Sequence, residues 1–237
     1  MTQSVSLDFD ADQAIVTLSN APSNLIDQML CEKLETFART LSHAPPPRGV
    51  VLTGSDGAFC AGLDPGVFET DDSEPIKALY VALNRMLSAL YDMGCPVVAA
   101  LDGDAHGAGL VLALCADFRI ASANAQFSLD EAARGMPFSA VAAEIVRTEL
   151  APHARRQIGL GGETINAETA KAWHVIDAIA ETDPLRAACE KAAYLSQQPG
   201  FSPVKRQLRA EAIAKTANMA EQEIDPATAA LGILLLD

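Results

Sequence analysis

The spacing of apolar positions divides the chain into elements before any chemistry is considered. "VSLDFDADQAIVTLS" alternates apolar and polar residues about Asp-Ala-Asp, which predicts a β-hairpin. "NLIDQMLCEKLETFARTLSH" carries Leu25, Met29, Leu30, Leu34, Phe37 and Leu41 at helical spacing. Asn24 serves as its expected N-cap, and "APPPRG" ends it. "GVVLTG" and "PVVAALDG" are short, continuously apolar runs, the pattern of strands covered on both faces. Between them lie a Gly-rich loop, "SDGAFCAGLDPG", an acidic stretch, "TDDSEP", that could act as a lid, and an amphipathic helix, "IKALYVALNRMLSALYDMG".

"HGAGLVLALCAD" is apolar on all sides and predicts a buried helix. "FRIAS" and "AQFSL" read as strands. After Pro137 the pattern is helical except for a strand-like "VIDAIAE". The expected architecture is a mixed α/β core over residues 1–195 followed by a helical region over 196–237, with no tandem repeat.

Composition narrows the function. The chain has 237 residues, 49% of them hydrophobic, enough for one sizeable core. A net charge of −14 opposes nucleic acid and anionic membranes as partners, because a polyanion is repelled. No run approaches the roughly 18 apolar residues of a membrane span, and the N-terminus lacks the pattern of a signal peptide. A cytoplasmic location is expected. Cys31, Cys60, Cys95, Cys115 and Cys189 are odd in number and widely spaced, so neither a disulfide framework nor a metal site is expected.

Two segments share one design, a buried strand running into small residues: "GVVLTGSDGAFCAGLDPG" and "PVVAALDGDAHGAGLVLALCAD". Such loops let a backbone approach a ligand, and a pair could aim one N–H each at a single oxygen. On the residues alone, plain tight turns are the favoured reading. "FSLDEAARGMP" adds Glu131, either a first-turn helix carboxylate behind an Asp130 cap or a reactive acid.

In order and spacing, "GAFCAGLD", "DGDAHGAGLVLALCADFRIA" and "FSLDEAARGMP", with "PPPRGVVLTG" and "GGETINAETAKAWHVIDAIAE", resemble the crotonase (enoyl-CoA hydratase/isomerase) superfamily. The resemblance implies a superhelix of ββα turns with a helical C-terminal region that drives a homotrimer or dimer of trimers. It implies an acyl-coenzyme A thioester as ligand, with no cofactor beyond the coenzyme A of the substrate.

Matched by position, the backbone donors to the thioester oxygen are Leu63 and Ala108. Ala61, Gly62, Asp64, Pro65, Gly66 and Gly107 fall in the coenzyme- and substrate-binding loops. Hydratases of the family commonly use two glutamates. Val111 stands at the first of those positions and Glu131 at the second, so the sequence is most similar in motif to the Δ3,Δ2-enoyl-CoA isomerases.

The resemblance thus implies an isomerase with Glu131 as its acid, its proton affinity raised by Val111, Leu112 and Phe138. Asp130 is the runner-up acid. A hydratase or other acyl-CoA lyase, and a non-catalytic acyl-CoA binder, are the alternatives. Lys205, Arg206 and Arg85 are candidate partners for the coenzyme phosphates. His106, Trp173 and His174 are expected to pack or cap. Ser128 and Ser139 lack a visible His and Asp arrangement, so serine hydrolysis is set aside.

Overall fold

The computed structural model describes residues 4–69 and 72–229. It opens with the hairpin, β1 (Val5–Asp10) and β2 (Gln13–Leu18), paired antiparallel from Val5 opposite Leu18 to Asp10 opposite Gln13. Ala11 and Asp12 form the two-residue turn with φ of 44° and 67°. Positive φ at both positions matches the right-handed twist of a hairpin.

Helix α1 (Gln28–His43) starts later than the sequence suggests. Its N-cap is Asp27, which accepts from Leu30 N at 2.7 Å. Asn24 instead takes a left-handed conformation and is buried, donating its amide to the carbonyls of Ser55, Ala58 and Phe59. Short polar side chains tolerate that conformation, so Asn24 staples the first Gly-rich loop rather than capping a helix. Met29, expected on the apolar face, is 56% exposed.

Three turns of one repeating unit follow. The first is β3 (Val50–Thr53), β4 (Ala58–Cys60), a 3₁₀ turn (Pro65–Phe68) and α2 (Glu74–Tyr91). The second is β5 (Val97–Leu101), β6 (Asp104–His106) and α3 (Ala108–Leu114). The third is β7 (Phe118–Ala121), β8 (Gln126–Ser128) and α4 (Ala140–Glu149). Each turn gives one strand to either of two sheets, ordered β1-β2-β3-β5-β7-β10 and β4-β6-β8-β9. From β2 to β10 the larger sheet is parallel. The smaller one is parallel through β4, β6 and β8.

A short α5 (Pro152–Ala154) runs into a π-helical turn (Arg155–Leu160), then β9 (Ile165–Asn166), α6 (Ala167–Ala172) and β10 (Ala178–Ile179). Only two residues of "VIDAIAE" pair as strand. Helices α7 (Pro184–Ser196) and α8 (Phe201–Ala220) complete the described chain.

The central strands are covered on both faces, as their apolar runs suggest. Val51, Val98 and Ala100 pack with Ala188, Ala192 and Leu195 of α7. Their alternates Val50, Leu52, Val97, Ala99 and Leu101 join the main core with α1, α2 and α3. Helix α8 lies against α2 and α4.

An ion network ties α8 to the sheet. Asp117 pairs with Lys205 at 2.8 Å and Arg209 at 3.3 Å, and Glu149 with Arg209 at 3.2 Å. No described helix is long and apolar enough to cross a membrane. The last eight residues of the expected C-terminal region, and Thr70 and Asp71 of the "TDDSEP" stretch, lie outside the described residues.

Candidate active site

The two Gly-rich loops follow β4 and β6, adjacent parallel strands of the small sheet, so they emerge side by side. A methyl group on Gly62 would stand 3.7 Å from Ala108 N, which measures how closely they approach. Gly107 has φ 51°, ψ −128° and serves as N-cap of α3. Gly109 packs against the backbone of β4, where a Cβ would lie 2.2 Å from the Cys60 carbonyl oxygen. The "GAG" triplet therefore turns the chain, presents Ala108 N–H at the first position of a helix, and lets α3 close onto β4. A first-turn helix N–H has no partner within its own helix. Among the described residues, neither Ala108 N nor Leu63 N donates to a backbone carbonyl.

Leu63 and Ala108 both line one cavity of about 350 Å³. Its lining comprises Ala61, Gly62, Leu63, Pro65, Phe68, Gly107, Ala108, Asp130, Glu131, Arg134 and Met136. Of the residues assigned from the sequence to the two binding loops, Asp64 and Gly66 stand outside this lining. Asp64 accepts from Gly66 N at 2.9 Å and braces the 3₁₀ turn.

Glu131 opens a tight turn rather than a helix. Its carbonyl accepts from Arg134 N and Met136 N at 3.1 and 2.8 Å, directing the side chain inward. A Cβ on Gly107 would lie 3.2 Å from its Oε1, placing the carboxylate beside the second loop. Its Oε2 is buried without a hydrogen-bond partner among the described residues. That burial, with a smaller contribution from the Asp130 charge, raises the Glu131 pKa from 4.5 to about 7. Asp130 is differently placed, because Arg134 Nε holds it at 2.6 Å.

Several expectations are corrected. Val111 and Leu112 are fully buried in the main core and do not line the cavity, and Phe138 borders a different groove. The apolar wall beside Glu131 is Leu63, Phe68 and Met136, which pack around Ile76 and Tyr80. Lys205 is buried on Asp117 and the Cys95 carbonyl, so it does not offer a cation to phosphates. Arg206 and Arg85 line separate grooves. The cation at the cavity is Arg134, whose spacing of four from Asp130 was legible as an ion pair. Phe68 and Met136 carried no local signal.

The serine reading also changes. His106 Nδ1 lies 2.8 Å from Ser128 Oγ, and Asp104 Oδ2 lies 3.7 Å from His106 Nε2. Ser, His and Asp therefore do converge. Ser128 is nevertheless buried and outside the cavity lining, so it presents no nucleophile to a ligand there. Ser139 caps α4 through Ala142 N, and Trp173 stacks edge-on against His153 at 4.7 Å.

Two adjacent loops of a ββα spiral and a desolvated carboxylate thus line one cavity. The sequence model of the enoyl-CoA hydratase/isomerase family matches residues 9–229. The chain belongs to that family, in the crotonase superfamily. It is 30% identical over 190 residues to a probable enoyl-CoA hydratase, EchA14, of Mycobacterium tuberculosis, covering 80% of this chain and 74% of that protein. It is 29% identical over 186 residues to the peroxisomal bifunctional enzyme of Homo sapiens, covering 78% of this chain and 25% of that protein. The fold superimposes on a probable enoyl-CoA hydratase, EchA3, of Mycobacterium tuberculosis with a TM-score of 0.87 at 22% identity, covering 99% of this chain and 98% of that one.

Proposed function

We propose that this enzyme of the enoyl-CoA hydratase/isomerase family is an isomerase that moves a C3–C4 double bond to C2–C3, with Glu131 as its single proton carrier. The observation that carries the reading is the inequality of the acids. Glu131 has a buried, unpartnered oxygen, Asp130 is held by Arg134, and the position of a family hydratase's other glutamate is Val111, inside the core.

In this mechanism the thioester oxygen sits between Leu63 N–H and Ala108 N–H. Ionised Glu131 takes a proton from C2, and the electron pair delocalises through C3=C4 and the carbonyl into a dienolate. Its negative charge gathers on the oxygen held by the amides. Glu131 then returns the proton to C4, leaving the C2–C3 double bond conjugated with the thioester. Each preorganised donor can stabilise such an oxyanion by roughly 2.7–4 kcal/mol, and a placed base adds a factor of about 10²–10⁴. A carboxylate with a pKa of about 7 suits both directions of transfer near neutral pH.

Hydration is the second reading, and the curated relatives named as hydratases favour it. It requires a second group to hold water, and Asp130 is the acid in the cavity that could do so. The two readings separate on incubation with 3-enoyl-CoA and 2-enoyl-CoA. Conjugated-thioester absorbance appearing from 3-enoyl-CoA, with negligible loss from 2-enoyl-CoA, supports isomerisation. Rapid loss from 2-enoyl-CoA overturns it. The reading extends to a homotrimer or dimer of trimers, supported by exposed Tyr194, Val204 and Leu208 on α7 and α8. A monomer in light scattering at micromolar concentration contradicts that part.

A further inference from the structure

The hydrogen bond between His106 and Ser128 has no part in the proton transfers above, yet it sits where their geometry is set. His106 and Ser128 are the last partners in the parallel pairing of β6 with β8. Beyond them the strand pairing ends and the two segments continue separately. One chain reaches the amide of Ala108 two residues later, and the other reaches Glu131 three residues later.

Three polar links tie the strands up to that fork. Asp104 Oδ1 accepts from Gln126 N at 2.8 Å, His106 Nδ1 meets Ser128 Oγ at 2.8 Å, and Gly107 N donates to Ser128 O at 2.9 Å. Asp104 Oδ2 lies 3.7 Å from His106 Nε2 on the far side of the ring. The carboxylate of Glu131 lacks such restraint, since its Oε2 has no hydrogen-bond partner among the described residues. Its position relative to Ala108 is inherited from the backbone on which it stands.

We propose that His106 and Ser128 are positioning residues that fix the separation between the Ala108 amide and the Glu131 carboxylate. The inference rests on the reading of Glu131 as the base. Neither side chain touches substrate; His106 acts through β6 and Ser128 through β8. A buried hydroxyl needs a partner in any case, so the alternative is a bond that only satisfies Ser128. The two differ in consequence. Loosening a positioning bond misplaces base against donor, and a shift of about 1 Å can cost on the order of 10²-fold in rate, while ground-state binding of the coenzyme is spared.

The test is exchange of the C2 protons of butanoyl-CoA for deuterium in heavy water, followed by proton NMR. This saturated thioester has no double bond to move or hydrate, so exchange reports only the base and the amides. His106→Ala and Ser128→Ala should each lower the saturated exchange rate about tenfold or more, with KM changed by less than about twofold. His106→Asn, which restores a polar atom near Nδ1, should recover most of the loss. The double alanine variant should be no slower than the worse single one, because both remove the same bond.

Wild-type exchange rates in the alanine variants would overturn the proposal. So would a loss seen in KM alone, or losses that multiply and resist rescue by asparagine. A wild-type protein that exchanges but does not isomerise 3-enoyl-CoA removes the isomerase reading and leaves the positioning role standing. A wild-type protein that does neither overturns both.

Discussion

Replacing Glu131 by glutamine removes the ionisation while keeping the shape, and its effect on stability follows from the surroundings of that carboxylate. In the folded protein the acid holds its proton up to a pH of about 7, because ionising it buries a charge without a partner; its ordinary value is 4.5. Between those values the folded state binds a proton that the unfolded state has released. Stability therefore falls as pH rises through this window. At about 1.4 kcal/mol per pH unit over the interval from 4.5 to about 7, the wild type loses roughly 3 kcal/mol that Glu131→Gln does not lose.

The difference between the proteins should be smallest near pH 4.5 and should level off above pH 7 in favour of the variant. At about 2–4 °C per kcal/mol for a chain of this size, the relative Tm should move by roughly 6–12 °C. Calorimetry of both proteins between pH 4.5 and 8.5, at one protein concentration, reads this directly. A Tm difference that does not change with pH would show that Glu131 titrates as an ordinary solvated acid, and the argument from its burial would fail.

Three further outcomes are expected. Ala108→Pro removes the amide proton at a helix position that proline tolerates, so kcat should fall about 10²–10³-fold while circular dichroism stays native; unchanged kcat would remove this amide from the mechanism. Arg134→Ala should move the pH midpoint of turnover up and Asp130→Asn should move it down, since Arg134 favours and Asp130 opposes the Glu131 charge; a pH–rate profile showing neither movement would contradict the electrostatics. Gly109→Ala places a methyl 2.2 Å from the Cys60 carbonyl oxygen and should cost about 1–3 kcal/mol in denaturant titration; a neutral result would mean that α3 need not approach β4 so closely.

Much of this architecture was legible from periodicity. The hairpin, α1, α2 and the covered strands β3 and β5 all carry strong local patterns, and their burial agrees with them. Of the small sheet β8 was legible within "AQFSL", but β4 and β6 were not, because they are three residues long and hidden in Gly-rich loops with no alternation to betray them. That loss matters, since the pairing of β4, β6 and β8 is what assembles the cavity. Asn24 misled because its cap-like chemistry serves a left-handed turn and three carbonyls instead.

At the site, Leu63, Ala108 and Glu131 were singled out through the family resemblance, and all three line one cavity. The apolar wall was misplaced because Val111 points into the core, whereas Phe68 and Met136 arrive from segments with no periodic signal. The contact of His106 with Ser128 spans 22 residues and exists only through parallel strand pairing, so spacing along the chain could not reveal it.

The most direct test is a crystal structure with an unreactive acyl-CoA bound. The thioester oxygen should lie about 2.7–3.1 Å from both Leu63 N and Ala108 N, with the Glu131 carboxylate over C2 and within reach of C4. A thioester bound elsewhere, or one whose oxygen meets neither amide, would contradict the account.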